Sequence, residues 1–472
     1  MLKKRGSLLF KKENFLLRNV EAIRIYNKFC KGLPIVDYHC HLKSDEIYKD
    51  LKFKNITELW LSKDHYKWRL MRANGINEAR ITGLSSDKEK FFAWAETIER
   101  CPGNPLYHWA HMELEEFFGI SLPLNLKNAQ FIWEEANRQL GSQGLGARDF
   151  IRKLNVKVIG TTDNPLSNLG YHKKIAVSDF DFQVIPTFRM DNILKIEDAS
   201  WFGEIATSYQ LEFSELDEYL DFIKNRIEYF DALGCRSADL GLATLDWAVI
   251  LSKPKKTFSQ IRKGNEVSKR DLADLKLYIL IEVLSFVCEK DWVFQLHYGA
   301  VGSVNEEAKD RLGTGKGFDT VSDQGNVSEP LLYLFNQLNN RKSLPRTVLY
   351  NIDGGKNIVT EAIMACFQDN KEAVRGKMQH GPAWWFQDTL RGNQKQLEDL
   401  AEQGILMNFI GMTTDSRSFL SYVRHDYFRR ILCNLLGQWI EAGEMPKDDN
   451  LIQRFIEDVS YRNALNYFKL EW

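Results

Sequence analysis

Hydrophobic and polar positions follow two alternating patterns along the chain. Short runs rich in β-branched or aromatic residues end in polar residues, and longer stretches between them carry apolar residues at helical spacing. The runs are eight in number, at residues 34–41, 156–163, 182–189, 234–241, 291–299, 346–353, 376–385 and 408–417. The run at 234–241 is weakly apolar and is placed partly by its spacing. Strands that alternate with helices are typical of a parallel sheet, and eight repeats predict an α/β protein with a (β/α)8 barrel of the TIM type.

The helical pattern is clearest after the eighth run. Leu420, Val423, Tyr427, Ile431 and Leu435 recur at intervals of three or four residues. Such spacing puts apolar side chains on one face of a helix. We therefore expect a helix that packs against the barrel.

The gap between the first and second runs is much longer than the others and is rich in aromatic residues at helical spacing. We interpret residues 43–155 as a helical insertion in the loop that follows the first predicted strand. The barrel is then formed by residues 1–42 and 156–472. Loops on that side of a barrel build active sites. The insertion is expected to cap the carboxyl-terminal face.

Composition narrows the possible partners. The 472 residues are 44% hydrophobic and 27% charged, and they include 12 Trp and 29 Phe, which indicates a folded globular protein. The formal net charge is −1, and no long block of like charge is present. We expect a small-molecule ligand rather than nucleic acid or a membrane. Aromatic residues outside the strand runs are compatible with a homo-oligomer.

The chain start and the cysteines point to the cytosol. The apolar run in "MLKKRGSLLFKKENF" is too short for a signal-peptide core or a membrane span. Seven cysteines are scattered without a C-x-x-C pair. Neither a disulfide framework nor a cysteine zinc site is indicated, so we expect reduced thiols and a cytoplasmic protein.

Two histidines end the first predicted strand. Residues two apart on a strand face the same side, so His39 and His41 are expected to project together at the mouth of the barrel. The eighth strand of a closed barrel lies beside the first, which brings Asp415 near both histidines. Two histidines and one carboxylate leave open positions on a catalytic metal ion. We expect one divalent ion, Zn²⁺ first, with Mn²⁺ or Co²⁺ as alternatives.

Simpler readings of these residues stay open. A chain with nine histidines can contain such a pair by chance, and Asp415 could do no more than cap the helix that follows it. The metal hypothesis depends on both ends of the chain meeting.

Several longer motifs carry a family resemblance. They are "DYHCHL" (37–42), "KDHYKWRLMRANG" (63–75), "NPLYHW" (104–109), "RLGTGKGFDT" (311–320), "GPAWWFQD" (381–388) and "GMTTDSRSFLSYVRHDYFRRILCNLLGQW" (411–439). Together they resemble uronate isomerase, also called glucuronate isomerase, a family of the amidohydrolase superfamily of (β/α)8 barrels. The resemblance implies interconversion of D-glucuronate with D-fructuronate and of D-galacturonate with D-tagaturonate.

The resemblance also implies roles for individual residues. His39, His41 and Asp415 match the family's metal ligands. Four residues match its catalytic groups: Asp415, Tyr66, His65 and Arg417. Four match its substrate-binding groups: Arg189, His297, Trp384 and Trp385. For His297 a fourth metal ligand and a substrate contact are both open, and the substrate contact is favoured.

The reaction explains why such residue types are needed. Aldose-to-ketose isomerisation moves a proton from C2 to C1 and another from O2 to O1 through a cis-enediol. Asp415, or a water that it orients, is the leading base, and Tyr66 with His65 would shuttle protons on the oxygens. Arg189 is our choice for the substrate carboxylate, because a guanidinium can bind it through two hydrogen bonds. The rings of Trp384 and Trp385 could face the sugar's C–H groups.

The chain departs from the family pattern at three places. Leu240 stands where the family usually has a histidine after the fourth strand, Asn164 where it usually has a second aspartate, and Tyr298 where an aliphatic residue is more common. The missing imidazole could reduce activity or shift substrate preference.

Two other classes of function are compatible with the same residues. A mononuclear metal hydrolase or deaminase would use His39, His41, His297 and Asp415 to activate water. A catalytically silent sugar-acid binding protein would keep the pocket without turnover. Formation of a ketose from a hexuronate distinguishes an isomerase from both.

Overall fold

The structure is a computed structural model that describes residues 13–142, 144–245, 253–323, 325–369 and 375–472. Residues 1–12, which contain most of the basic start considered above, lie outside the described part. In the described part, no helix has the length and apolar character that crossing a membrane requires.

Parallel strands form the centre of the fold. Within the described residues ten strands are present: β1 (Ile35–Asp37), β2 (Val156–Gly160), β3 (Gln183–Ile185), β4 (Phe188–Arg189), β5 (Ser237–Leu242), β6 (Val293–Tyr298), β7 (Ala300–Val301), β8 (Thr320–Val321), β9 (Arg346–Asn351) and β10 (Met378–His380). One parallel sheet has the order β1-β2-β3, and a second has the order β10-β9-β6-β5-β4. A parallel bridge from Asp163 to Phe188 continues the first sheet into the second. Strands therefore form in seven of the eight predicted runs, in barrel order.

The eighth run, 408–417, is not a strand in the structure, so that part of the prediction is wrong. Gly411 has φ +77° and Asp415 has φ +45°, and both values interrupt an extended backbone. A side chain at 411 would meet the carbonyl oxygen of Val459 at 2.0 Å, so only glycine fits there. Two backbone hydrogen bonds still join this segment to the first strand: Asp415 N to His39 O (3.1 Å) and His41 N to Ser416 O (2.9 Å).

Helices surround the strands and fill the long gap before β2. The α-helices of the described residues are α1 (Val20–Ile25), α2 (Ser44–Tyr48), α3 (Ile56–Leu61), α4 (His65–Ala73), α5 (Asp87–Glu99), α6 (Pro105–Phe118), α7 (Leu126–Ser142), α8 (Ala147–Lys153), α9 (Gly170–Ala176), α10 (Ala199–Tyr209), α11 (Leu216–Asp231), α12 (Pro254–Arg262), α13 (Lys269–Glu289), α14 (Glu306–Leu312), α15 (Ser328–Asn340), α16 (Asn357–Ala365), α17 (Leu390–Gln403), α18 (Val423–Ala442), α19 (Asp449–Glu457) and α20 (Asn463–Phe468). Helices α2–α8 lie between β1 and β2, in the segment interpreted as an insertion.

The predicted helix after the eighth run is α18. A short 3₁₀ turn, Phe419–Tyr422, precedes it, and its apolar face is buried as the spacing indicates. The sequence pattern did not indicate that Arg424, Arg429 and Arg430 would also be buried in this helix. Their side chains hydrogen-bond to distant carbonyl groups and carboxylates, which is how a buried guanidinium is tolerated.

Candidate metal centre and active site

All ten residues that the sequence singled out line one cavity of about 390 Å³ at the carboxyl ends of the strands. They come from the segment just after β1, from α4, β4 and β6, from the loop after β10 and from the broken eighth segment. This is the face on which barrel enzymes build their sites.

Three candidate metal ligands converge. His41 Nε2 lies 2.9 Å and His39 Nε2 lies 3.4 Å from the same oxygen, Oδ1 of Asp415. The ligand atoms of these residues all lie within 4.8 Å of one another. One ion can therefore contact all three side chains.

The hydrogen bonds of His41 test whether this group fits a metal. Its Nδ1 lies 2.6 Å from the hydroxyl oxygen of Thr162, and that hydroxyl donates its own hydrogen to Cys40 O at 2.9 Å. Thr162 must therefore accept from His41 Nδ1, and because burial lowers the pKa of His41 and favours the neutral ring, a lone pair is left on Nε2. A lone pair that faces a carboxylate oxygen at 2.9 Å is repulsive unless a cation lies between them. The residues fit a divalent ion.

Asp415 is held from its other side by Trp384. The indole N–H of Trp384 donates to Oδ2 of Asp415 at 2.7 Å, which leaves Oδ1 directed at the histidines. We predicted a ring-to-sugar contact for Trp384, and the structure adds this hydrogen bond. Trp385 packs edge-on against His65, with ring centroids 5.3 Å apart.

His297 and Asp239 form a second buried group beside His39. The rings of His297 and His39 are 4.8 Å apart, and His297 stacks on Tyr350 at 4.1 Å. Within the described residues, neither ring nitrogen of His297 has a hydrogen-bond partner, and burial lowers its pKa well below the usual value. A neutral imidazole that faces the cavity suits either of the two roles considered for it.

Leu240, the departure after the fourth strand, faces away from this site. Asp239 points toward His39, so its neighbour on the strand must point outward. Leu240 pairs in register with Leu296 and is completely buried in the hydrophobic core outside the strands. A side chain at position 240 therefore does not reach the cavity. The expectation that leucine here costs the site an imidazole is not supported.

A histidine at position 240 should destabilise the folded protein. We expect Leu240→His to lower the free energy of unfolding by about 2 kcal/mol or more, because a polar ring would replace a packed side chain in an apolar core. Urea unfolding measures the effect, with Leu240→Met as the volume-matched control that should cost less than about 1.5 kcal/mol. Raised turnover at unchanged stability would contradict this view of the position.

Arg189 lines the cavity, but its guanidinium is already engaged. Nη1 donates to Asp239 Oδ2 at 2.6 Å, while Nη2 and Nε contact the two carboxylate oxygens of Asp191 at 2.8 and 2.6 Å. The edge best suited to a substrate carboxylate is thus occupied by Asp191. Arg417, by contrast, has no acidic partner among the described residues, and its Nη1 lies 3.4 Å from His65 Nδ1.

His65 and Tyr66 occupy the first turn of α4. Asp64 caps this helix by accepting hydrogen bonds from the backbone N–H groups of Tyr66 and Lys67. Burial lowers the pKa of His65, while burial and the nearby Asp415 raise the pKa of Tyr66 well above its usual value. Tyr66 therefore stays a neutral phenol, and its hydroxyl has no hydrogen-bond partner in the described structure.

The glycine-rich motif at 311–320 supports this turn from outside. Gly317 has φ +86°, and a side chain there would meet the carbonyl oxygen of His65 at 2.7 Å. Arg72 of α4 donates to the carbonyl oxygen of Lys316. Close backbone approach, rather than ligand binding, accounts for the glycine at 317.

Sequence reasoning missed three residues that line or contact the site, Thr162, Asp191 and Asp239. It also missed Asp37, which hydrogen-bonds to Thr414, the residue before Asp415. The inward position of Asp239 could have been predicted, because strand side chains alternate and its neighbour Leu240 is apolar. Thr162 and Asp191 gave no signal, since their partners are distant in sequence or on a turn.

The fold and the site define a class: an α/β-barrel protein with a candidate mononuclear metal centre of two histidines and one aspartate at the carboxyl ends of its strands. Comparison with known proteins specifies the family. A family model described as glucuronate isomerase matches residues 8–468. The chain belongs to this family.

Individual relatives agree with that assignment. The chain is 42% identical to a uronate isomerase of Bacillus licheniformis over 98% of both chains. It is 44% identical to a uronate isomerase of Caldicellulosiruptor saccharolyticus over 97% of this chain and 99% of the relative. A crystal structure of uronate isomerase from Thermotoga maritima superposes with a TM-score of 0.90 at 30% identity, covering 98% of this chain and 100% of that one. The predictions of family, α/β-barrel fold class and isomerase function are confirmed.

Proposed function

We propose that this enzyme interconverts D-glucuronate with D-fructuronate, and D-galacturonate with D-tagaturonate, at the cavity formed by His39, His41 and Asp415 with Tyr66 and Arg417. The observation that carries the proposal is the convergence of two imidazoles and a carboxylate on one point within that cavity. The family to which the chain belongs supplies the substrate class.

We assign one divalent ion to His39, His41 and Asp415, with Zn²⁺ as first choice and Mn²⁺ or Co²⁺ as alternatives. When bound, such an ion supplies Lewis acidity toward the substrate's carbonyl oxygen, a contribution of several kcal/mol. The lone pair left on His41 Nε2 by the Thr162 hydrogen bond supports its role as a ligand.

Proton transfer is assigned to the chain's own residues. Asp415, directly or through a water that it orients, takes the proton from C2 and returns it to C1. Tyr66 is a neutral phenol and so can donate its proton to O1, and His65 beside it takes the proton from O2 and returns it to Tyr66. Each bond to hydrogen that breaks is matched by one that forms, so the reaction needs no external oxidant.

The substrate carboxylate needs a cation away from the reacting carbons. We propose Arg189 for this contact, although it also forms ion pairs with Asp191 and Asp239. We place Arg417 nearer the reacting oxygens, because its Nη1 lies 3.4 Å from Nδ1 of His65, the proposed proton relay. His297, Trp384 and Trp385 are proposed to contact the sugar itself.

The decisive assay follows the purified protein with D-glucuronate or D-galacturonate by NMR in D₂O. We expect ketose signals to appear, with activity lost on chelation and restored by Zn²⁺, Mn²⁺ or Co²⁺. Deuterium at C1 of the ketose would support proton transfer that exchanges with solvent. Ammonia or hydrolysis products would indicate a hydrolase or deaminase instead, and binding without turnover a silent module.

The cellular location, the partner and the oligomeric state of the enzyme are also proposals. The thiols of Cys30, Cys40, Cys235 and Cys433 are buried and not in disulfides, which fits the cytosol. A small-molecule hexuronate is the proposed partner, and a homo-oligomer is proposed from the aromatic content; light scattering measures the oligomer.

A further inference from the structure

Asp37 is a completely buried carboxylate two residues before His39 on β1. Thr414 of the eighth segment donates twice to it: Oδ1 accepts from the Thr414 N–H at 2.6 Å, and Oδ2 accepts from the Thr414 hydroxyl at 2.6 Å. The Thr413 hydroxyl lies 2.8 Å from Oδ1 and 2.6 Å from His39 O, and it donates its one hydrogen to either. His425 Nε2 of α18 lies 3.5 Å from Oδ1. A buried carboxylate with this many donors is tightly oriented.

These bonds join the first strand to the eighth segment, where the described part of the barrel has no strand pairing. The eighth segment is not a strand, and two backbone hydrogen bonds tie it to the end of β1. The side chains of Asp37 and Thr413 add to them, since Thr413 Oγ1 also accepts from His39 N at 3.0 Å. The two parts of the chain that carry the proposed metal ligands are therefore joined by backbone hydrogen bonds and, through Asp37, by side-chain hydrogen bonds to Thr414.

The backbone at Asp415 needs such support. Its φ of +45° lies in the left-handed region, which costs a residue with a side chain about 1–3 kcal/mol and persists only where neighbours enforce it. Thr414, immediately before it, is held at its N–H and hydroxyl by Asp37 and at its carbonyl oxygen by Arg424 Nη1 (2.6 Å). Both peptide groups that precede Asp415 are thus fixed.

We infer that Asp37 is a positioning residue, which acts through Thr414 to aim the Asp415 carboxylate at the Nε2 atoms of His39 and His41. Asp37 holds the ligands of the first strand and of the eighth segment in one geometry. The inference rests on the proposed metal centre, and it adds a residue that does not itself contact the ion or the substrate.

The experiment compares Asp37→Asn, Thr414→Val and Thr414→Ser with wild type and with Asp399→Asn. Asp399 is a matched control: a buried carboxylate on α17 that accepts from Asn357 and Lys395 and lies outside the cavity. The measurements are Zn²⁺ affinity by chelator competition, the visible absorption of the Co²⁺-loaded protein, kcat and KM, and thermal unfolding.

We expect Asp37→Asn and Thr414→Val to weaken metal affinity about 10–100-fold, to change the Co²⁺ spectrum and to lower kcat with little change in KM. Thr414→Ser keeps the hydroxyl and should behave as wild type. Asp399→Asn should keep affinity and spectrum even if the protein unfolds at a lower temperature. The double variant Asp37→Asn/Thr414→Val should lose less than the product of the single effects, because both remove the same contact.

Unchanged affinity and spectrum in a folded Asp37→Asn protein would overturn the inference. If that variant does not fold, the contrast between Thr414→Val and Thr414→Ser decides, and equal behaviour of the two overturns it. Wild type that binds no metal would instead overturn the proposed metal centre, so the two failures can be told apart.

Discussion

Asp415→Asn should abolish metal binding and reduce turnover by about 10³-fold or more. The amide removes the charge that balances a divalent ion between His39 and His41, and the several kcal/mol of carbonyl polarisation that depend on that ion are lost with it. The same change removes the proposed C2 base. Metal analysis by mass spectrometry and isomerase rates at saturating substrate measure both losses.

The matched control is Asp353→Asn. Asp353 also follows a barrel strand, β9, but its side chain caps a short turn by accepting from Gly355 N at 2.9 Å and does not line the cavity. Asparagine can keep that cap, so metal content and kcat should stay within about twofold of wild type. Full metal content and normal turnover in Asp415→Asn would refute the centre; a similar loss in the control would point to the fold instead.

Tyr66→Phe should lower kcat by about 10²–10⁴-fold while metal content and unfolding temperature stay unchanged. The phenol is neutral because burial raises its pKa, so it can donate a proton to O1, and phenylalanine keeps the ring without the donor. Binding of the substrate carboxylate does not use this hydroxyl, so KM should change little. Steady-state kinetics with metal analysis of the same sample checks the prediction.

Tyr298→Phe serves as the control for that substitution. Tyr298 ends β6 close to His297, but its hydroxyl pairs with Thr360 at 2.8 Å and lies outside the cavity. Its loss should cost about 1 kcal/mol of stability and leave kcat unchanged. Normal kcat in Tyr66→Phe would assign the acid to another group, with His65 as the next candidate.

Much of the site was predictable from local patterns. Strand alternation predicts that His39 and His41 share a face, and both lie beside Asp415 although β1 ends at Asp37. Asp415 reaches them because the first and last barrel segments are neighbours. The family motifs then assigned His65, Tyr66, Arg189, His297, Trp384, Trp385 and Arg417 to the same region, and all of them line the cavity. Their individual roles stay predictions.

Other features depended on partners that no pattern reveals. Arg189 looked like a free cation for the substrate but forms ion pairs with Asp191 and Asp239. Trp384 looked like a ring surface but also donates to Asp415. The eighth run looked like a strand, yet Gly411 and Asp415 take positive φ values that end its extended geometry.

The sequence by itself determined the fold class, the family and the residue types at the mouth of the barrel, because side-chain periodicity and long motifs are local properties of the chain. Only the tertiary structure decided which donor and acceptor atoms of those residues are free to bind a metal ion or substrate. The Thr162 hydrogen bond selects the tautomer of His41, and Asp37 orients the segment that carries Asp415. The physical reason is that hydrogen bonds saturate: a donor or acceptor is free for chemistry only if no neighbour, however distant in sequence, already uses it.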